Sequence, residues 1–306
     1  MSTVSRSNVS ANEISARVAA AFNFTVDKFP LAGPDGLRTP WYGMFRSDNN
    51  EVVGNGSVTS RYCPHQTEDV LALVDAASEA FEGVASVDTY FRDGHYVAIE
   101  PTREQRYAIF GTADNIFPRV VIRAGYDGKA FNAAMGYYRD ACRNLAIMRQ
   151  VSGTTVSIRH TSGLRSRMDS LIQSFTSLRD SWQMLAATAV QLESTRVNLA
   201  DFLREVYGEP ETDSGRAATI HRNRTETIFN RVMDERSRTG RGAMPADFRV
   251  SGWEAFNAVQ GFVQHESTRK SSARGAAATG FGRIIAAAND AAVQRAERAA
   301  MNLLAV

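Results

Sequence analysis

Along this chain apolar residues recur at helical spacing near both ends and alternate with polar ones in between. Ile14, Val18 and Ala21 predict a first helix over residues 12–22. Residues 28–40, broken by Pro30, Gly33, Pro34, Gly36 and Pro40, read as a loop. Short strands are expected at 41–46 and 51–58, joined by the turn-prone Ser47-Asp48-Asn49-Asn50. Over 68–82 the helical period returns, with Val70, Leu71, Val74, Ala77 and Phe81 as its stripe. Thr67 can cap that helix, and two acids in its first turn suit the positive end of the helix dipole.

The period then shortens to two. Strands at 85–91 and 96–100 flank Asp93-Gly94, a strong hairpin signal. Further strands are expected at 105–111, 118–123, 130–138 and 154–160, with a turn at Tyr126-Asp127-Gly128. The short connections predict an antiparallel sheet over about 84–160, and no βαβ alternation points to a parallel one. From 164 to 206 the spacing is helical through Met168, Leu171, Ile172, Phe175, Leu178, Trp182 and Leu185, with a break near Ser194-Thr195. A helix over 215–236 follows, and Ser251-Gly252-Trp253-Glu254 has the form of a capping box opening a helix to 266. Residues 267–282, rich in Ser, Ala, Gly and Arg, read as a linker before an alanine-rich helix over 284–304. The expected fold is thus α+β: an antiparallel sheet packed with a long helix, then a mostly helical C-terminal region. Its segments are 1–38 (helix and loop), 39–210 (α+β core), 211–266 (helical extension) and 267–306 (linker and last helix).

Composition adds limits. At 306 residues with 43% hydrophobic and 22% charged residues, the chain can bury one large core or two ordinary ones. No apolar run reaches the roughly 18–20 residues that cross a bilayer, and the polar start MSTVSRSNVSANEIS is not expected to be a secretory leader. Cys63 and Cys142 lack CxxC spacing, which fits a reducing cytoplasm. Net charge is +2 but unevenly spread, with seven basic and thirteen acidic residues in 1–100 against eleven and five in 101–170. Opposite segments either neutralise each other in the fold or leave a basic, anion-binding surface. Thirty-two of the 35 basic residues are arginine. That bias suits bidentate phosphate contacts, and a GC-rich genome also produces it.

Motifs for catalysis are missing from the sequence. There is no Walker A loop, no strand before Gly280-Phe281-Gly282, no HExxH pair and no GxSxG elbow. Cys63 and His65 flank Pro64, a weak basis for a thiolate–imidazole pair. The basic middle is more informative. Arg119, Arg123 and Lys129 bracket a hairpin, Arg139, Arg143 and Arg149 follow it, and Arg159, Arg165 and Arg167 surround the passage into the long helix. Tyr126, Tyr137 and Tyr138 are interleaved, with Asn144 and His160 as further polar candidates. Arginines along a backbone and tyrosines as stacking faces are the chemistry of sequence-neutral single-strand binding. The alternative is that these aromatics belong to the core and the arginines to internal ion pairs.

Several stretches occur in a telling order: Thr39-Pro40-Trp41-Tyr42-Gly43, Arg61-Tyr62, Arg143-Asn144-Leu145, Arg159-His160-Thr161, Phe202-Leu203-Arg204-Glu205, and Trp253 to Val259 with His265. This order resembles a phage- and plasmid-related family built on a domain of unknown function, over roughly 39–266. Tyr42 stands where that family tends to have His, Leu145 where it has Thr, and Gln264 where it has an acid before His265. The layout of antiparallel strands feeding a long helix also resembles the ring-forming single-strand-annealing recombination proteins. That resemblance implies a homo-oligomer that binds single-stranded DNA and anneals strands without a nucleotide cofactor, a metal or a catalytic residue. The competing expectation is a non-enzymatic structural or interaction component with a phage or host protein partner.

Overall fold

The computed structural model describes residues 10–54, 57–91, 94–101, 106–111, 113–126, 130–142, 144–159, 164–267 and 290–305, with backbone alone at Ala11 and 164–167. In chain order come helix α1 (Ala11–Ala21), strands β1 (Val26–Ala32), β2 (Arg38–Arg46) and β3 (Val58–Thr59), helix α2 (Thr67–Ala80), and strands β4 (Val84–Phe91) and β5 (Gly94–Pro101). Strands β6 (Tyr107–Phe110), β7 (Asp114–Gly125), β8 (Phe131–Arg139), β9 (Asn144–Ala146) and β10 (Thr155–Ile158) lead into helix α3 (Leu164–Ser194). Strand β11 (Arg196–Asn198), helices α4 (Leu199–Tyr207) and α5 (Gly215–Thr239) and strand β12 (Arg249–Ser251) follow. Helix α6 (Gly252–Gly261) runs into a π-helical turn over Phe262–Glu266, and helix α7 (Ala291–Asn302) is last.

The fold is α+β with antiparallel sheets, as the pattern predicts. It compacts into two units: one of residues 1–105, 118–135 and 153–182, the other of 106–117, 136–152 and 183–306. Each draws on three separate stretches, so the segment 39–210 is divided between them, while 211–266 falls wholly in the second.

In the first unit, α1 begins at Ser10, whose hydroxyl accepts from the Glu13 N–H (3.3 Å) while the Glu13 carboxylate accepts from the Ser10 N–H (3.0 Å). Residues 28–40, expected to be a loop, instead hold β1 and the start of β2. Pro30 lies in β1, opposite Tyr42, and β1 is the outer strand of the order β1-β2-β3. An edge strand tolerates the N–H that proline lacks. The strand expected over 51–58 is reduced to the Phe45↔Val52 bridge and β3. Val26, Met44, Val53, Val58, Tyr62 and Tyr126 form a buried cluster under this sheet. Thr67 does not cap α2. Its hydroxyl donates to the Phe22 carbonyl (2.7 Å), and the Asp69 carboxylate accepts from the N–H of the cap residue Gln66 (2.8 Å).

The main sheet of this unit has the order β10-β8-β7-β5-β4. Gly94 is required by close approach: a Cβ there would lie 2.3 Å from the Ala124 carbonyl oxygen of β7. The Asp93 half of the predicted turn, Asp127-Gly128 of the next and the linker over 268–282 lie outside the described residues.

The second unit holds β6, the start of β7, the end of β8 and β9, with α4 to α7 and the β11–β12 pair. The predicted break at Ser194-Thr195 is β11, pairing with β12. Ser251 caps α6 as expected: its hydroxyl accepts from the Glu254 N–H and the Glu254 carboxylate from the Ser251 N–H, each at 3.0 Å. Every residue of α6 is buried, so this helix is the unit's core element.

Candidate functional site

Strand alternation sorts the first unit's sheet into two chemically different faces. The register sets Tyr90 against Tyr96, Tyr96 against Arg123, and Ser86 against Glu100. One face therefore carries Tyr90, Tyr96, Glu100, Arg119 and Arg123, and the other Phe91, His95, Ile99, Ile122 and Ala124. Phe131 meets the His65 ring edge-on (5.4 Å), and His65 meets His95 the same way (5.0 Å). Phe131 thus belongs to the histidine face and Asn132 to the arginine face. Ser157 pairs with Asn132 and Thr155 with Ala134, extending the arginine face to β10. There Thr155, Ser157 and, just past the strand, Arg159 are exposed.

On this face the two buried-to-surface arginines differ. Arg119 is nearly buried and donates to Glu100 (3.0 Å), Asp88 (3.3 Å) and Ser86 (3.4 Å). Arg123 is half-buried; its Nε donates to the Tyr96 hydroxyl (3.2 Å) and its guanidinium lies 5.7 Å from that ring's centre. Tyr90, also half-buried, sits 5.8 Å from Tyr96.

The opposite face is closed. His65 Nε2 and His95 Nδ1 are 2.8 Å apart, sharing one proton between two buried rings. Tyr126 stacks on His65 (4.2 Å), and Phe22, Phe24 and Phe91 enclose His95. Burial, with the Arg46 charge adding to it, lowers the His95 pKa to about 3. His95 therefore carries no proton to give as an acid near neutrality. His65 faces His95 through Nε2.

In the second unit a buried ion network joins β7, β8, α3, α5 and α6. Arg139, fully buried, donates Nε and Nη2 to the Asp114 carboxylate (2.7 and 2.8 Å) and Nη1 to Glu235. Arg241 reaches Asp114 (2.7 Å) and Glu193 (3.1 Å), and Arg236 reaches Glu254 (2.7 Å). Burial alone would raise the Asp114 pKa, but Arg139 and Arg241 outweigh it and hold the carboxyl below its ordinary value. Arg231 binds Glu235 (3.0 Å), Glu266 (2.7 Å) and the Asn144 side-chain oxygen (3.3 Å). Burial pushes the Cys142 thiol up, so it stays protonated and is a poor nucleophile.

The segments that carried the family resemblance meet in this unit. Asn144 Nδ2 donates to the Asn257 carbonyl (3.0 Å), and its Oδ1 lies 3.2 Å from His265 Nε2. The Gln264 amide accepts from the Leu145 N–H (3.1 Å) and donates to the Leu145 carbonyl (2.5 Å), as a neighbouring strand would. An acid at 264 could only accept. Tyr137 donates to Asn257 (3.1 Å) and packs on Trp253 (5.0 Å).

Sequence-selected residues therefore part company. Arg119, Arg123 and Arg159 belong to the first unit, two on the polar sheet face and Arg159 exposed beyond β10. Arg149 is exposed and Tyr138 half-buried in the second unit. Tyr126, Tyr137, Arg139 and Asn144, expected as base or phosphate contacts, have no surface to offer. Both rings are covered by core packing, and both polar groups are held by internal partners. Lys129, Arg143 and His160 lie outside the described residues, as do the side chains of Arg165 and Arg167. Tyr90 and Tyr96 lie outside the arginine-rich stretch of the sequence; the signal that marks them is their alternation about Asp93-Gly94, which places them on one face.

Among the described residues no helix is long and apolar enough to cross a membrane, and no group of three or more His, Cys, Asp or Glu could hold a metal ion. Neither a curated protein nor a solved structure matches the chain. Residues 55–299 match the family described as Domain of unknown function (DUF932), a span that takes in both the polar sheet face and the buried network, and the chain belongs to that family.

Proposed function

We propose that this protein binds single-stranded DNA across the arginine face of the first unit's sheet and, as an oligomer, brings complementary strands together without a nucleotide cofactor. One observation carries the reading: a single sheet face aligns Tyr90, Tyr96 and Arg123 and runs on to exposed Thr155, Ser157 and Arg159. A base on an aromatic gains roughly 1–3 kcal/mol whatever its identity, and arginine adds stacking and phosphate contact. Tyr96, nearly buried, orients Arg123; Tyr90 offers the ring, and Arg159 the charge at the edge. Annealing of this kind belongs in the cytoplasm of a bacterial cell, in a phage or other mobile element.

The test is binding of labelled single-stranded and duplex oligonucleotides across a salt series, with particle size measured in parallel. Preference for single strands, weakening steeply with salt, is expected. Arg123→Ala should lower the salt slope by about 1 while leaving thermal stability close to wild type. No binding at low salt by the intact chain would remove the proposal.

A second reading, a protein-interaction component with a phage or host partner, draws on Phe29, Leu37, Trp41 and Val52. These exposed apolar residues (52%, 68%, 46% and 60%) all belong to the first unit's N-terminal sheet region. Leu37→Ser with Trp41→Ser would then abolish co-purification of a partner and leave oligonucleotide binding intact.

A further inference from the structure

Between α5, the π turn and α7 the second unit contains a half-open cleft of about 480 Å³. That volume lies in the range of small-molecule sites, roughly 300–1,000 Å³. Its walls combine an apolar side, Ile220, Phe262 and Val263, with two arginines from different helices, Arg224 of α5 and Arg295 of α7. The charge balance differs from that around the buried arginines Arg119, Arg139, Arg231 and Arg236, each of which meets a carboxylate. Arg224 lies over the Tyr207 ring (4.4 Å), and among the described residues no carboxylate approaches it within ion-pair distance. Arg295 donates Nε to the Val206 carbonyl (2.5 Å) and likewise has no carboxylate partner among the described residues.

The acids of the cleft are already engaged. Glu266 is bound by Arg231 (2.7 Å), and Asp290 accepts from the Ala292 N–H (2.7 Å) at the start of α7. Two guanidinium groups therefore line the cavity with no carboxylate in ion-pair distance among the described residues, beside an apolar wall of Ile220, Phe262 and Val263. A phosphate, with oxygens in three directions, can be held by forks arriving from two helices, whereas a planar carboxylate matches one fork.

We propose that this cleft binds a small phosphate monoester carrying a flat ring, of mononucleotide size, with Arg224 and Arg295 on the phosphate and Phe262 and Val263 against the ring. This site is separate from the proposed DNA-binding face and does not rest on it.

The test is calorimetric titration of the intact chain with AMP, with adenosine and with inorganic phosphate. AMP should bind saturably, phosphate should compete with it, and adenosine should bind at least ten-fold more weakly. Arg224→Gln should weaken AMP about ten-fold or more. Because Arg224 makes no ion pair within the described fold, this change should leave the melting temperature near wild type. Asn223→Trp, at an exposed position of α5 lining the cleft, should block AMP by bulk, and Arg123→Ala should leave AMP binding unchanged. Absence of saturable AMP binding, equal affinity for adenosine, or AMP binding unmoved by both cleft variants would overturn the assignment.

Discussion

At Gly261 a Cβ would lie 2.1 Å from Nε of Arg231, a guanidinium held by Glu235, Glu266 and Asn144. Arg231 cannot step aside without giving up its bonds to Glu235, Glu266 and the Asn144 side chain, so Gly261→Ala should destabilise the fold by about 1–3 kcal/mol, read as a lower urea midpoint. An unchanged midpoint would mean that the network reorganises freely. His95 makes a second prediction at this scale. Its pKa falls from an ordinary 6.5 to about 3 on folding, so the unfolded chain binds the extra proton. Stability is then fully present above about 6.5 and declines as pH falls toward 3, by up to about 1.4 kcal/mol per pH unit for this group. Asp114, depressed below 3.8, joins only at the acid end of that window. Urea titrations from pH 7 to 4 should show the decline, and His95→Gln should flatten it. These residue roles were not legible in the sequence. The partners of Arg139 stand 25 and 96 positions away, and no local pattern separates a buried arginine from one that waits for phosphate.

Elements were easier to read than contacts. The hairpin about Gly94, the cap at Ser251 and the long helix α3 follow from local chemistry, and all are present. What escaped was decided by tertiary position: β1 exists because proline is tolerated on its edge, and β9 is three residues fixed by β8 and Gln264. The arginine face of the sheet was half legible, since alternation assigns sides but cannot say which side α1 and α2 cover. Element pairing also sets the cost of breaking the network. Arg139 ties β8 to β7 through Asp114 and to α5 through Glu235, with side-chain exposures of 0% and 5% for those acids. Arg139→Ala leaves buried Asp114 to Arg241 alone and Glu235 to Arg231 alone, and should cost about 3–5 kcal/mol, measured by chemical denaturation. Restoration by Arg139→Lys should be partial, because an ammonium cannot make the bidentate contact.

For the molecule as a whole, the interleaving of the two units governs what can be removed. The second unit takes residues 106–117 and 136–152 from the middle of the chain and completes them with 183–306. A chain ending at residue 210 keeps Asp114, Arg139 and Leu145 but loses Glu235, Arg241, Gln260 and Gln264, which hold them. It should therefore fail to melt cooperatively and should bind a hydrophobic dye. A sharp transition in calorimetry would show instead that α5 and α6 are dispensable. Sequence composition pointed to a basic middle between acidic and balanced flanks, and of its arginines Arg119 and Arg139 meet buried carboxylates.

The same interleaving has a consequence during synthesis. Arg139 leaves the ribosome about a hundred residues ahead of Arg241, roughly 5–20 s at ordinary elongation rates. Throughout that interval β8 and β9 have a charged, half-built surface and no α6 to cover it. Nascent chains of this protein are thus expected to expose that surface until α6 is made, and slow codons between 140 and 240 would lengthen the vulnerable period.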